Sequence, residues 1–391
     1  MTNFEEVIDR RQTRSIKWDA IEERFGVDNP EDVLPMWIAD MDFKAPDVVI
    51  QAIQETLNHG VFGYSYVCEA CKDAVQNWLH TRHNWDVQHE WMLTHHGVVP
   101  AIASVVETFS TTGDKILITP PVYPPFFQVP GHLNREVVTC EMKEQHGTYS
   151  IDFEKFEAAL QQNVKIFILC NPHNPGGIVW KKDELLTIIE LCKRYDVLIL
   201  SDEIHADLVF NGAKHIPLAS IVGDAQDQII TCVAPTKTFN LAGVQASFMI
   251  VSNEQLREKL ELNAQAHGQM NLSPFAAAAL KAAYEDGGPW LDELLDTVSS
   301  NMDYVIEQFS EHLPKVHVKK PEATYLLWID YRETGLTEDE MMTRLLHKGK
   351  LALEPGSKYG EAGVGFLRMN VACPPALVKD GVDRFIHSLS E

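Results

Sequence analysis

The chain has 391 residues, 45% hydrophobic and 23% charged, enough length and apolar content for a sizeable core and two domains in one subunit. Its 56 acidic against 33 basic residues leave a formal charge of −23, which argues against nucleic acid or an anionic membrane as partner. No apolar stretch reaches bilayer-spanning length, the start is acidic, and seven cysteines in a chain this long suit a reducing compartment, so a cytoplasmic protein is expected.

Cys68 and Cys71 have Cys-x-x-Cys spacing. Without a second pair, and inside a helical pattern, they read as helix residues rather than a metal or redox site. His80, His83, His95 and His96 also lack acid or cysteine company, and no metal is expected. From about residue 90 to about residue 270, apolar runs alternate with helical patterns. Gly97 opens an apolar helix reaching toward Phe109. Residues 115–119 read as a strand stopped by Pro120 and Pro121, with Tyr123 in the proline-rich turn just after it. Residues 166–170 form another apolar run, closed by the turn Asn174-Pro175-Gly176-Gly177. Helical spacing of Leu185, Leu186, Ile189, Leu191 and Cys192 spans 183–195. Two more strands come next: residues 197–201, ending at Asp202 with His205 one helical turn beyond, and 229–233, ending in a small-residue turn with Lys237. This alternation argues for a mostly parallel sheet covered on both faces. Residues 274–313 read as two helices broken at Gly287-Gly288-Pro289, a candidate hinge or domain boundary. The remainder, with a short strand at 325–329, suits a smaller C-terminal domain.

Open α/β sheets gather functional groups at the carboxyl ends of their strands. Here Asn174, Asp202 and Lys237 occupy three such ends. Most lysines are solvated surface charges, but one at a strand mouth and shielded, here by Phe239, has its ammonium form penalised and becomes a Schiff-base candidate. Amine, acid and amide together suit pyridoxal phosphate: the lysine for its aldehyde, the acid for its ring nitrogen, the amide for its phenolic oxygen. The helix opened by Gly97 offers unpaired first-turn amides to a phosphate, or is an ordinary helix start. Arg368, in apolar surroundings, needs either a substrate carboxylate gripped bidentately or a buried acid. No Gly-x-Gly-x-x-Gly follows a strand, which disfavours a nicotinamide dehydrogenase.

Asn174-Pro175-Gly176-Gly177, Asp202-Glu203-Ile204-His205 and Thr236-Lys237-Thr238-Phe239-Asn240 resemble the motifs of fold-type I pyridoxal-phosphate enzymes, the class I/II aminotransferase superfamily. Residues 37–43, 62–66, 97–101 and 366–374 resemble one branch of it, the MalY/PatB-type cystathionine β-lyases, or C–S lyases, so the resemblance covers essentially the whole chain. It implies a three-layer α/β/α large domain with a mostly parallel sheet and a smaller α+β domain. The implied division is an N-terminal arm over 1–45, the cofactor domain over 46–287 and the small domain over 288–391. The amides of Val98 and Val99 and the Thr236 hydroxyl would hold the phosphate, and Tyr123 would stack on the pyridine ring. Tyr64 would reach across from the second subunit of a homodimer. Ala39, Asn174 and Tyr64 would join Arg368 around the substrate amino acid. Ala234 stands where a serine usually touches the phosphate, and Gln245 where aminotransferases usually carry an arginine. His205 replaces a tyrosine bonded to the ring oxygen; it either takes that bond or orients Asp202.

The implied reaction is β-elimination. Lys237 removes the Cα proton, the ring paired with Asp202 accepts the electrons, and a thiolate leaves Cβ, so that cystathionine yields homocysteine, pyruvate and ammonia. An aminotransferase shares the early steps, and Lys237, Asp202 and Asn174 do not separate the two. A purely binding or regulatory protein on this fold is disfavoured by the complete residue set.

Overall fold

The structure, a computed structural model, describes residues 3–223, 227–269 and 271–390. The apolar runs between residues 92 and 250 become one sheet: β1 (Met92–His95), β2 (Lys115–Ile118), β3 (Glu136–Thr139), β4 (Val164–Cys170), β5 (Leu198–Asp202), β6 (Ile229–Val233) and β7 (Ser247–Ile250). The order is β1–β7–β6–β5–β4–β2–β3, parallel from β3 to β6, with β7 antiparallel to both its neighbours. Strands covered on both faces read as continuous apolar runs, and β4 shows why. Ile166, Ile168 and Cys170 join a core with helix Val98–Phe109, while Phe167 and Leu169 join another with Leu185, Ile188 and Ile189 of helix Lys182–Arg194. The chain is thus of the α/β class expected from its alternation.

The expected break at Gly287 separates helices Pro274–Asp286 and Gly288–His312. Beyond it lies an antiparallel sheet of β8 (His317–Val318), β9 (Leu326–Asp330), β10 (Glu354–Pro355) and β11 (Phe366–Asn370), in the order β8–β9–β11–β10. Helix Pro375–Leu389 packs on helix Gly288–His312, Phe385 meeting Phe309 at 4.6 Å between ring centroids. The N-terminal segment crosses to this region, with Leu34–Pro35 paired in parallel to Leu351–Ala352. Two features were not anticipated: the reversal of β7, and a short polar hairpin, Lys143–Gln145 with Thr148–Ser150. Among the described residues no helix is long and apolar enough to cross a membrane.

Candidate active site

Parallel register sets Cys170 of β4 opposite Asp202 of β5, and Asp202 opposite Cys232 of β6, so three strand ends stand level. From β4 the chain turns through Asn171-Pro172-His173 to a buried Asn174. Gly177 closes this turn at φ 61°, where a Cβ would come within 2.4 Å of Pro321 Cβ, so only glycine lets the turn pack here. From β6 the short helix Pro235–Thr238 presents Lys237. Ala39, Val98, Val99, Tyr123, Asn174, Asp202, His205 and Lys237 line one cavity, and Cys170 and Ile204 complete its wall.

Lys237 Nζ donates to the Ala39 carbonyl. Burial, then the charge of Arg368, lower its pKa to about 8, against the opposing pull of Asp40 and Asp202. Burial pushes Asp202 up to about 7, although the Ile204 amide (3.2 Å) and the charge of Lys237 favour its ionised form. A buried carboxylate with a single amide donor calls for a cation, and a protonated ring nitrogen supplies one. Phe239, expected to shield Lys237, packs instead in an aromatic cluster with Trp78, Tyr284 and Trp290. Shielding of the amine falls to the cavity wall.

Helix Val98–Phe109 begins after Gly97, whose φ of 124° favours glycine, and no side chain caps it. Gly97 N–H is taken by Ser247 Oγ (3.2 Å), and Pro100 has no N–H. The amides of Val98 and Val99 are therefore the free donors of this positive helix end, which fits a phosphate. Thr236 is buried beside Lys237 in sequence but does not line the cavity.

Arg368 lies in β11 at 4% exposure. Its Nη1 donates to Asn174 Oδ1 (3.3 Å) and its Nη2 to the Trp37 carbonyl (2.9 Å), while Nε has no partner. The guanidinium stands 5.2 Å from the centroid of the Tyr359 ring. Among the described residues no carboxylate pairs with it, so the alternative of a structural ion pair is not what the fold contains. Tyr123 is partly buried, and burial, then Asp202, raise its phenol.

His205 departs from expectation in its backbone. The residues after Asp202 form turns, with the Leu208 amide donating to the His205 carbonyl, because β5 ends and the chain must reverse within a few residues. No hydrogen bond joins His205 to Asp202. Its Nδ1 is buried without a partner, its ring meets Tyr325 edge-on at 6.1 Å, and burial holds its pKa well below the usual histidine value. Tyr64 is fully exposed and outside the cavity of its own chain.

Four supporting residues were missed. Tyr325 donates to the Ala39 carbonyl (2.9 Å), and the Asn240 side chain takes the Met41 amide and donates to the Met41 and Phe43 carbonyls. Asn370 donates to the Ile38 and Asp40 carbonyls, and Cys170 accepts the Asn174 amide at 3.3 Å. Only Cys170 had a signal, as the last residue of an apolar run. Asp42 locks the same arm, accepting Arg10 (2.7 Å), Lys17 (2.6 Å) and Trp18 (2.8 Å). Burial opposes the ionisation of Asp42, and these donors, Lys17 foremost, outweigh it and hold its pKa below the usual value.

The family model for aminotransferases of class I and II matches residues 31–385. The chain is 44% identical to cystathionine beta-lyase PatB of Bacillus subtilis, across 99% of this chain and 100% of that one. Cystalysin of Treponema denticola superposes with a TM-score of 0.96 at 35% identity, covering 100% of this chain and 99% of that one. The pyridoxal-phosphate-bound C–S lyase of Staphylococcus hominis gives 0.93 at 33%, covering 100% and 98%.

Proposed function

The chain belongs to the class I and II aminotransferase family, and from that premise we propose that it is a pyridoxal-phosphate-dependent carbon–sulfur β-lyase. Its substrates are cystathionine and other cysteine S-conjugates, and its products a thiol, pyruvate and ammonia. Full-length likeness to a cystathionine beta-lyase supports the reaction class. The observation in the site that carries the reading is a partly buried lysine of lowered pKa sharing one cavity with a buried aspartate at the ends of β5 and β6.

Bound there, the cofactor supplies a conjugated ring that takes up the electron pair left when a Cα–H bond breaks. The residues of the chain do the rest. The Val98 and Val99 amides would hold the phosphate at the helix end, and the Thr236 hydroxyl would join them only by turning from its buried place outside the cavity lining. Asp202 would pair with the ring nitrogen, Tyr123 would stack on the ring, and Asn174 and His205 would serve the ring oxygen, all four lining the same cavity. Arg368 turns its fork to the substrate carboxylate beside Asn174, which fixes Cα near Lys237. Lys237, already lowered to about 8, takes the Cα proton.

Residues 46–287 are assigned to the cofactor domain, 288–391 to the small domain and 1–45 to an N-terminal arm joining the small domain and the dimer partner. The working form is a cytoplasmic homodimer in which Tyr64 serves the partner's site. In support, Val61, Phe62, Tyr64 and Tyr66 are all exposed, an apolar cluster out of place on a free surface.

The test supplies cystathionine to the cofactor-loaded protein without any 2-oxo acid. Many turnovers yielding pyruvate and thiol in equal amounts, abolished in Lys237→Ala, are expected. A single stoichiometric turnover that resumes only on adding a 2-oxo acid would make it an aminotransferase.

A further inference from the structure

Of the seven cysteines, Cys140, Cys170, Cys192, Cys232 and Cys373 are buried, and only Cys68 and Cys71 lie together. Their sulfur atoms are 3.4 Å apart. Cys68 is the N-cap of helix Glu69–His83, with extended backbone, and Cys71 sits in the first turn. The Cys68 side chain makes no capping hydrogen bond, and the Cys71 and Lys72 amides turn to the Cys68 carbonyl (3.0 and 3.4 Å), so the Cys68 sulfur stands at the positive end of the helix dipole. Cys68 is partly exposed, whereas Cys71 is buried and turns toward the Ala277 carbonyl (3.8 Å). We propose that Cys68 and Cys71 form a reversible thiol–disulfide exchange site for low-molecular-weight disulfides, with Cys68 the attacking and Cys71 the resolving thiol.

The two sulfurs differ in the way this division of labour needs. Burial resists ionisation of Cys68, but the Cys71 thiol and the amides of Cys71 and Ala70 overcome it and hold its pKa below the usual thiol value. Burial, then the Cys68 sulfur, push Cys71 up to about 12, and the Lys281 ammonium pulls weakly the other way. Part of that elevation comes from an anionic neighbour, and it falls away once Cys68 is engaged in a mixed disulfide.

In the first step the Cys68 thiolate attacks one sulfur of RS–SR. An S–S bond to R forms, and RS⁻ leaves and takes a proton from water. In the second step Cys71 gives its proton to water and attacks the Cys68 sulfur. The Cys68–Cys71 bond forms and the second RS⁻ departs. Two protein thiols are oxidised and one disulfide is reduced to two thiols, and excess thiol reverses both steps. Bonding requires the sulfurs to close to about 2.05 Å. Cys68 has extended backbone and only its carbonyl joins the helical ladder, so this movement falls on the Cys68 side chain and the irregular segment 61–67 before it, which Ser65 Oγ anchors to the Leu272 carbonyl (2.6 Å).

The native, cofactor-loaded protein is titrated with oxidised glutathione, quenched by alkylation and mapped by peptide mass spectrometry. Two thiols lost per chain, both from Cys68 and Cys71, with a cross-linked peptide that reduced glutathione reopens, are expected. Cys71→Ser should arrest at glutathione on Cys68, and Cys68→Ser should leave Cys71 unmodified. The proposal is overturned if wild-type Cys68 retains glutathione while Cys71 stays free. It is equally overturned if neither cysteine reacts until the protein is denatured.

Discussion

Replacing Arg368 by alanine separates a substrate anchor from a structural charge. The guanidinium spends two donors on Asn174 Oδ1 and the Trp37 carbonyl, leaves Nε without a partner and, among the described residues, forms no ion pair with a carboxylate. A carboxylate gripped by such a fork gains two charge-assisted hydrogen bonds, ~1.5–3 kcal/mol each. Losing both, ~3–6 kcal/mol, lowers kcat/KM for cystathionine by roughly a hundredfold to ten-thousandfold. Arg368→Lys should fall between, because an ammonium keeps the charge and loses the fork. The cofactor should barely notice: its dissociation constant, followed by absorbance on dialysis, should change less than about threefold, under ~1 kcal/mol. Arg368 also depresses the Lys237 amine, so its removal should raise that pKa. Initial rates at low substrate provide the assay. A kcat/KM within about tenfold of wild type, with the cofactor retained, would refute the assignment.

Asp202→Asn removes the counter-charge of the ring; if the carboxylate raises the ring-nitrogen pKa by about two, worth ~2.7 kcal/mol, kcat falls roughly a hundredfold, and an unchanged kcat would deny Asp202 that role. For Lys237 the folded pKa of about 8 lies below its ordinary 10.5, so between these values only the unfolded chain holds the proton and stability rises with pH by ~3 kcal/mol. Cofactor-free Lys237→Met should therefore be more stable than wild type below about pH 8, the gap closing by about pH 10.5; urea melts showing a gap independent of pH would contradict this. His205→Phe should move the absorbance titration of the bound cofactor, since His205 lines the cavity and its Nδ1 is buried without a protein partner. An unmoved spectrum and titration would remove His205 from the ring.

Much of the α/β core was legible because strands buried on both faces announce themselves as apolar runs: residues 166–170, 197–201 and 229–233 fall within β4 to β6 or at their edges. The direction of β7 was not, since a four-residue apolar strand carries no mark of whether it runs with or against its neighbours. That Lys237, Asp202 and Asn174 meet at one cavity was readable from the polar turn at the end of each run. The pieces that hold them were not. Tyr325 and Asn370 act on carbonyls of an arm more than 280 residues earlier in the chain, and Asn240 acts on the same arm across 199 residues or fewer. Local pattern carries no trace of such pairings. Exposed Tyr64 shows the opposite limit: its expected place depends on a second chain, which no single-chain fold displays.

Asp42 fixes how far the beginning of this protein can be trimmed. Its buried carboxylate is balanced by Arg10 and Lys17, both upstream, while the arm that Asp42 steadies carries the Ala39 carbonyl against Lys237. A shortened form starting at Met36 would keep every residue of the cavity and still discard both counter-charges. Leaving one buried ion alone costs ~3–5 kcal/mol. In expression design, a cut at Met36 is therefore costly although it removes no residue that lines the cavity.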